Sequence, residues 1–174
     1  MVLIRILVLL VLLVVFFQDL KSRYVYWILF PALLILFFAT SLLQHRSFSE
    51  ILQPAAMNLS FLVMQFLLVS AYFSLKNRRW VNITAELLGW GDILLLLSIA
   101  FYFSVLNFLF FYIISLVVSV IAWLSWKLMS KGKNTQIPLA GFQAICLVVF
   151  LMSDWYWLHF NTADDTWLLN LIHK

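Results

Sequence analysis

The sequence predicts an all-α membrane protein, a bundle of six transmembrane helices, on three observations. Of its 174 residues 66% are hydrophobic and 10% charged, whereas soluble domains run at about 45–50% apolar and about 25% charged. The apolar residues fall into six runs, each near the roughly 20 residues that cross about 30 Å of hydrocarbon as a helix. The cations gather in the short stretches between those runs. Only helices or closed barrels satisfy their own backbone in lipid, and uninterrupted runs of this length exclude barrel strands.

The first run, residues 2–18, holds one cation, Arg5, and ends on Phe16, Phe17, Gln18 and Asp19. No small-residue cleavage site follows it, so it reads as a retained helix rather than a secretory signal. The second run covers 25–43 and the third 54–75. The fourth, 87–105, contains Gly89, Trp90, Gly91 and Asp92 followed by Ile93 and four leucines. The fifth, 107–126, is separated from the fourth by a tight turn at Asn107. The sixth, 137–160, opens on Ile137 and Pro138. With connections this short, residues 1–174 form one membrane domain.

Charge sets the expected orientation. Lys21, Arg23, Lys76, Arg78, Arg79, Lys127, Lys131 and Lys133 all lie in connections on one side, while Arg5, Arg46 and Lys174 lie on the other. The positive-inside rule places the first set in the cytoplasm and both termini outside. This placement explains the net charge of +4 without nucleic acid. One cysteine, Cys146, cannot form an internal disulfide. His45, His159 and His173 show no ligand spacing, so neither a metal nor another cofactor is expected.

With seven acids in the chain, each can be placed. Glu50, Asp164 and Asp165 fall in outer connections or the tail, and Asp154 sits among Trp155, Tyr156 and Trp157, where an interfacial aromatic belt would leave it solvated. Asp19, Glu86 and Asp92 remain at the cytoplasmic edge. Asp19 could simply be compensated by Lys21 or Arg23, and Asp92 could be a helix N-cap. Gly89 and Gly91 beside Trp90 add something a cap does not need, an unusual backbone path or a close approach by another segment. Two carboxylates meeting in a desolvated site share a proton, which suits general acid–base attack of water on a peptide bond.

These segments resemble the type IV prepilin peptidases and archaeal preflagellin peptidases, membrane aspartyl proteases that carry one aspartate at the end of an early helix and another in Gly-x-Gly-Asp. Gly89, Trp90, Gly91 and Asp92 match that motif, with Glu86 at the acidic position before it. The stretch from Asp19 through Lys21 and Arg23 to Trp27 is similar to the first-aspartate segment, and Ile137–Pro138 to the opening of the late block. Leu94 stands where the family usually has lysine, and Gly141 where it commonly has a second proline.

The resemblance implies an aspartic endopeptidase with Asp19 and Asp92 catalytic and Gly89 and Gly91 shaping the motif. It further implies contact between Glu86 and the basic leader of the substrate. That substrate would be a prepilin-like protein with a basic leader and an apolar helix, cut at the cytoplasmic face of a bacterial inner membrane. The cysteine-rich domain associated with methylation is missing from this sequence, so peptidase activity alone is expected. Presenilin-like proteases share Gly-x-Gly-Asp, but their first aspartate follows a tyrosine, where this chain has Gln18. A non-enzymatic alternative, a small proton-coupled transporter or a secretion or pilus assembly subunit, would also place acids in a bundle.

Overall fold

The computed structural model describes residues 1–22, 24–77, 89–129, 139–158 and 161–172. Among them the chain is helical with no strand: α1 Val2–Ser22, α2 Leu29–Leu43, α3 Phe48–Asn77, α4 Trp90–Ala100, α5 Val105–Met129, α6 Leu139–Met152 and α7 Thr166–Ile172. A π-helical turn, Ser153–Leu158, continues α6. Four stretches, Val2–Ser22, Phe48–Asn77, Val105–Ser125 and Leu139–Leu158, are long and apolar enough to cross a membrane. The helices Leu29–Leu43 and Trp90–Ala100 are apolar but shorter. At 1.5 Å per residue, the 15 residues of α2 and 11 of α4 rise only about 22 Å and 17 Å.

Several boundaries differ from those expected. α2 starts at Leu29 rather than 25, with Pro31 in its first turn, where a missing N–H costs nothing. α3 starts at Phe48, six residues before the expected 54, so Pro54 lies inside it. A capping pair explains the early start: Glu50 Oε2 accepts from Ser47 N at 2.9 Å, and Ser47 Oγ accepts from Glu50 N at 3.4 Å. Pro54 cannot donate to the carbonyl of Glu50 four residues back. Arg46 Nη2 donates to that carbonyl instead, at 2.9 Å.

The expected fourth run, to 105, ends at Ala100 because Asn58 of α3 intervenes. Its Nδ2 donates to the carbonyls of Ala100 and Phe103, both at 3.1 Å. α5 then begins at Val105, two residues before the expected 107. Its early amides are capped from the distant tail: Asp165 Oδ1 accepts from Leu106 N at 3.2 Å and Asn107 N at 3.3 Å. The tail itself forms α7.

α6 is central, touching α1, α4 and α5, while α2 lies between α1 and α4. The core joins Val8, Leu12 and Val15 of α1 to Leu33 and Phe37 of α2, Leu95 and Ile99 of α4, and Leu147 and Leu151 of α6. Outward positions are as greasy as inward ones: Leu3, Leu10, Val63, Leu67, Val117 and Ile121 are all exposed. A surface of that kind is matched to lipid rather than water.

Candidate functional site

α1 carries a buried stripe, Val8, Leu12, Val15 and Asp19. Its spacing of four, three and four residues is that of one helix face. Asp19 therefore occupies the last position of a core seam rather than a solvated helix end, and it is only 7% exposed. Lys21, one of its two expected compensating partners, points to the exposed side. Arg23, the other, lies outside the described residues.

Asp92 reaches the same depth of burial, 7% exposed, from the start of α4. Gly89 is the residue preceding that helix, with an ordinary extended conformation (φ −68°, ψ 143°). Asp92 is thus not the N-cap. It is the third helical residue, and its Oδ2 accepts from Gly89 N at 3.2 Å. No described glycine has a positive φ, so the glycines flanking Trp90 give no unusual backbone path. What Gly91 allows is proximity: a Cβ there would lie 3.5 Å from Ala140 Cβ and 3.6 Å from Phe30 Cζ.

The start of α6 lies between the two acids. Gly141 N donates to Asp19 Oδ2 at 2.6 Å, and the adjacent Ala140 backbone lies beside the Asp92 carboxylate. These first amides have no acceptor within their own helix. The Asp19 carboxylate satisfies that of Gly141, at the end of α6 whose dipole favours negative charge. The carboxylates are near enough that the charge of Asp19 acts on Asp92. Glycine at 141 allows this close approach: a Cβ would stand 3.0 Å from Asp19 Oδ2, 3.2 Å from Asp19 Cβ and 3.4 Å from the Phe16 carbonyl oxygen.

The site therefore unites Asp19, Gly89, Gly91 and Asp92 and adds the backbone N–H of Gly141, which sequence reasoning missed. Its signal was present: Gly141 is one of only four glycines and interrupts an apolar run. A proline at that position would have no N–H to give Asp19. Leu94, where a lysine was the pattern, is partly buried against the core. Glu86, Arg78, Arg79, Ile137 and Pro138 lie outside the described residues. Among the described residues no three His, Cys, Asp or Glu side chains converge as a metal site.

Asp154 corrects the expectation of a solvated belt acid. It is 6% exposed and ties the returning chain to the π turn, accepting from Asn161 N at 2.8 Å, Thr162 N at 3.3 Å and Thr162 Oγ1 at 3.0 Å. Its neighbour Trp155 is buried, while Tyr156 and Trp157 are exposed. Nearby, Asp164 caps α7 through Thr166.

Protein-family models, curated proteins and solved structures were all compared with the chain, and none matches it.

Proposed function

We propose that this chain is an intramembrane aspartyl endopeptidase whose catalytic pair is Asp19 and Asp92. The observation that carries the reading is the start of α6, where Gly141 N holds the buried Asp19 carboxylate of α1 close enough to the buried Asp92 carboxylate of α4 for its charge to act there. A structural cap needs one acceptor, and one acid would serve. Two acids brought together in a desolvated pocket carry a mutual repulsion, which a shared proton relieves.

In this reading the ionised carboxylate takes a proton from a water molecule as its oxygen attacks the peptide carbonyl carbon. The protonated partner gives its proton to the carbonyl oxygen. Collapse of the resulting gem-diol breaks the C–N bond, and the amine leaves with a proton returned from the dyad. The backbone amides of Gly89 and Gly141 keep Asp92 and Asp19 oriented without themselves titrating. Because both acids are 7% exposed, a substrate strand reaches them only after α4 and the start of α6 part.

Further parts of the reading rest on sequence. Six membrane passages with both termini outside place the pair at the cytoplasmic edge. There a basic leader followed by an apolar helix can dock beside the bundle, with Glu86 attracting the leader. Such a prepilin-like protein is the proposed substrate, in a bacterial inner membrane.

One observation favours a non-enzymatic bundle: each aspartate accepts a backbone amide, as a purely structural residue would. Substitution separates the two readings. Asp19→Asn and Asp92→Asn keep an acceptor oxygen for the amide but cannot cycle a proton. Each variant is expected to insert and express normally and to lose cleavage of a prepilin-like substrate in membranes by at least about 1,000-fold, since removal of a reacting group commonly costs 10³–10⁴ or more. Cleavage within tenfold of the parent in either variant refutes the assignment.

A further inference from the structure

At the end of the bundle away from the aspartates lies a cavity of about 790 Å³ that includes Arg5, Arg46, Glu50 and Asp165 in its lining. Arg5 stands fourteen residues before Asp19 on α1, about 21 Å along the axis, so this cavity is separate from the proposed catalytic pair. A rigid frame supports it. Trp155 Nε1 donates to Tyr102 Oη at 3.1 Å, and both residues are buried. Arg5 lies over the Trp155 ring, 5.2 Å from its centroid, while Arg46 Nη1 donates to the Tyr102 carbonyl at 3.1 Å. One guanidinium thus lies on the ring of this buried pair and the other on its backbone.

The turn that presents Arg46 is equally well defined. Arg46 N donates to the Ser41 carbonyl at 3.3 Å and His45 N to the Leu42 carbonyl at 3.0 Å, with His45 at φ 59°. This is the Schellman arrangement that closes a helix. Arg46 binds backbone carbonyls rather than a carboxylate, and burial pulls its pKa below the ordinary value although the Glu50 charge opposes this. Arg5 Nε is buried without a hydrogen-bond partner. A guanidinium offers five donors, so both arginines retain capacity for an oxyanion.

The acids around the cavity are differently engaged. Both oxygens of Asp154 and of Asp164 accept hydrogen bonds from the chain. Glu50 and Asp165 are each engaged through one oxygen, Oε2 and Oδ1. A purely anionic ligand would meet their charge as repulsion, whereas one bearing an ammonium group beside its phosphate satisfies both signs.

We propose that this cavity binds a phosphate ester carrying a primary ammonium group, with the phosphate between Arg5 and Arg46 and the ammonium at Glu50 and Asp165. A phosphoethanolamine moiety has this chemistry, whether free or as a lipid headgroup. Phosphocholine lacks ammonium N–H donors, and phosphoglycerol lacks the cation.

Thermal unfolding of the full chain in detergent tests this, using dihexanoyl phosphatidylethanolamine, phosphatidylcholine and phosphatidylglycerol, and free O-phosphoethanolamine. At about one hundred times Kd, the ethanolamine lipid is expected to raise Tm by roughly 5–10 °C, with a smaller effect from the other two lipids. Arg5→Gln and Arg46→Gln each remove the shift. Arg5→Lys and Arg46→Lys keep the charge but lose the forked geometry, and reduce the shift at equal ligand concentration; they decide the matter if a neutral variant does not fold. Equal shifts from free O-phosphoethanolamine and the lipid support the site with a soluble phosphate ester as its source, and a lipid-only shift supports a headgroup. No shift from either ethanolamine compound, equal shifts from the ethanolamine and choline lipids, a shift from the glycerol lipid alone, or a shift unchanged in the arginine variants overturns the proposal.

Discussion

Replacing Gly141 by alanine tests whether α6 holds the aspartate pair, because a contrasting substitution is available next to it. At 141 the added Cβ would stand 3.0 Å from Asp19 Oδ2 and 3.2 Å from Asp19 Cβ. Ordinary contact begins near 3.4 Å, so α1 and α6 must separate by about 0.4 Å, or the Asp19 carboxylate must turn away. Overfilling of this kind costs about 1–3 kcal/mol, against a gain of about 1 kcal/mol from replacing glycine by alanine in a helix. The net loss of stability is therefore about 0–2 kcal/mol. At Gly91 the same methyl group meets Ala140 Cβ at 3.5 Å and Phe30 Cζ at 3.6 Å, which is ordinary contact. Gly91→Ala should be neutral or stabilising by up to about 1 kcal/mol.

The effects on activity should diverge further than those on stability. A displacement of about 1 Å at a reacting group can cost 100-fold in rate, and the bond from Gly141 N to Asp19 at 2.6 Å is the one disturbed. Gly141→Ala is expected to lower cleavage at least tenfold while Gly91→Ala keeps most of it. Denaturation in detergent and turnover of a prepilin-like substrate in membranes provide the two readouts. Equal stability and equal activity of the two variants would refute the claim that the start of α6 positions Asp19.

Gln143 is fully buried, and neither of its carboxamide atoms has a hydrogen-bond partner; since an unsatisfied buried polar group costs about 1–3 kcal/mol, Gln143→Leu should raise stability by about that amount in chemical denaturation, and a loss of stability would show that the carboxamide is not a burden. Asp154→Ala strips the acceptor from the amides of Asn161 and Thr162 and should cost about 2–4 kcal/mol, with faster hydrogen exchange at those amides; unaltered exchange would mean that another group fixes the returning chain.

The existence of the main helices was legible because apolar runs of this length have few other solutions, but their ends were not, because distant residues set them. Asn58 takes the carbonyls of Ala100 and Phe103 from forty-odd residues away, and Asp165 caps α5 from nearly sixty residues away. No local pattern marks such partners. The start of α3 is different: Ser47 and Glu50 stand at capping-box spacing, a local pattern that marks the helix start ahead of the apolar run. Asp154 was misread for a related reason. Tryptophan and tyrosine neighbours suggest an interface, yet the π turn buries Asp154 and Trp155 together and sends Trp157 outward.

Of the site, the two aspartates were legible as acids in a chain with almost none to spare, whereas the buried α1 stripe that ends on Asp19 was not, because the exposed positions of that helix are apolar too. The part that joins them was hidden in backbone. Side-chain chemistry is written in residue names, but a peptide N–H is common to every residue except proline, so a backbone donor carries no mark of its role. Gly141 carries a faint one, and its meaning reverses in three dimensions. Judged against a pattern with proline, it is a departure. Packed against Asp19, it is the residue that lets α6 approach closely enough to give its N–H to the carboxylate. The amide of Gly89 supplies the second donor, to Asp92. Asp92 then needs only to arrive at the same end, which the short α4 and the small Gly91 permit.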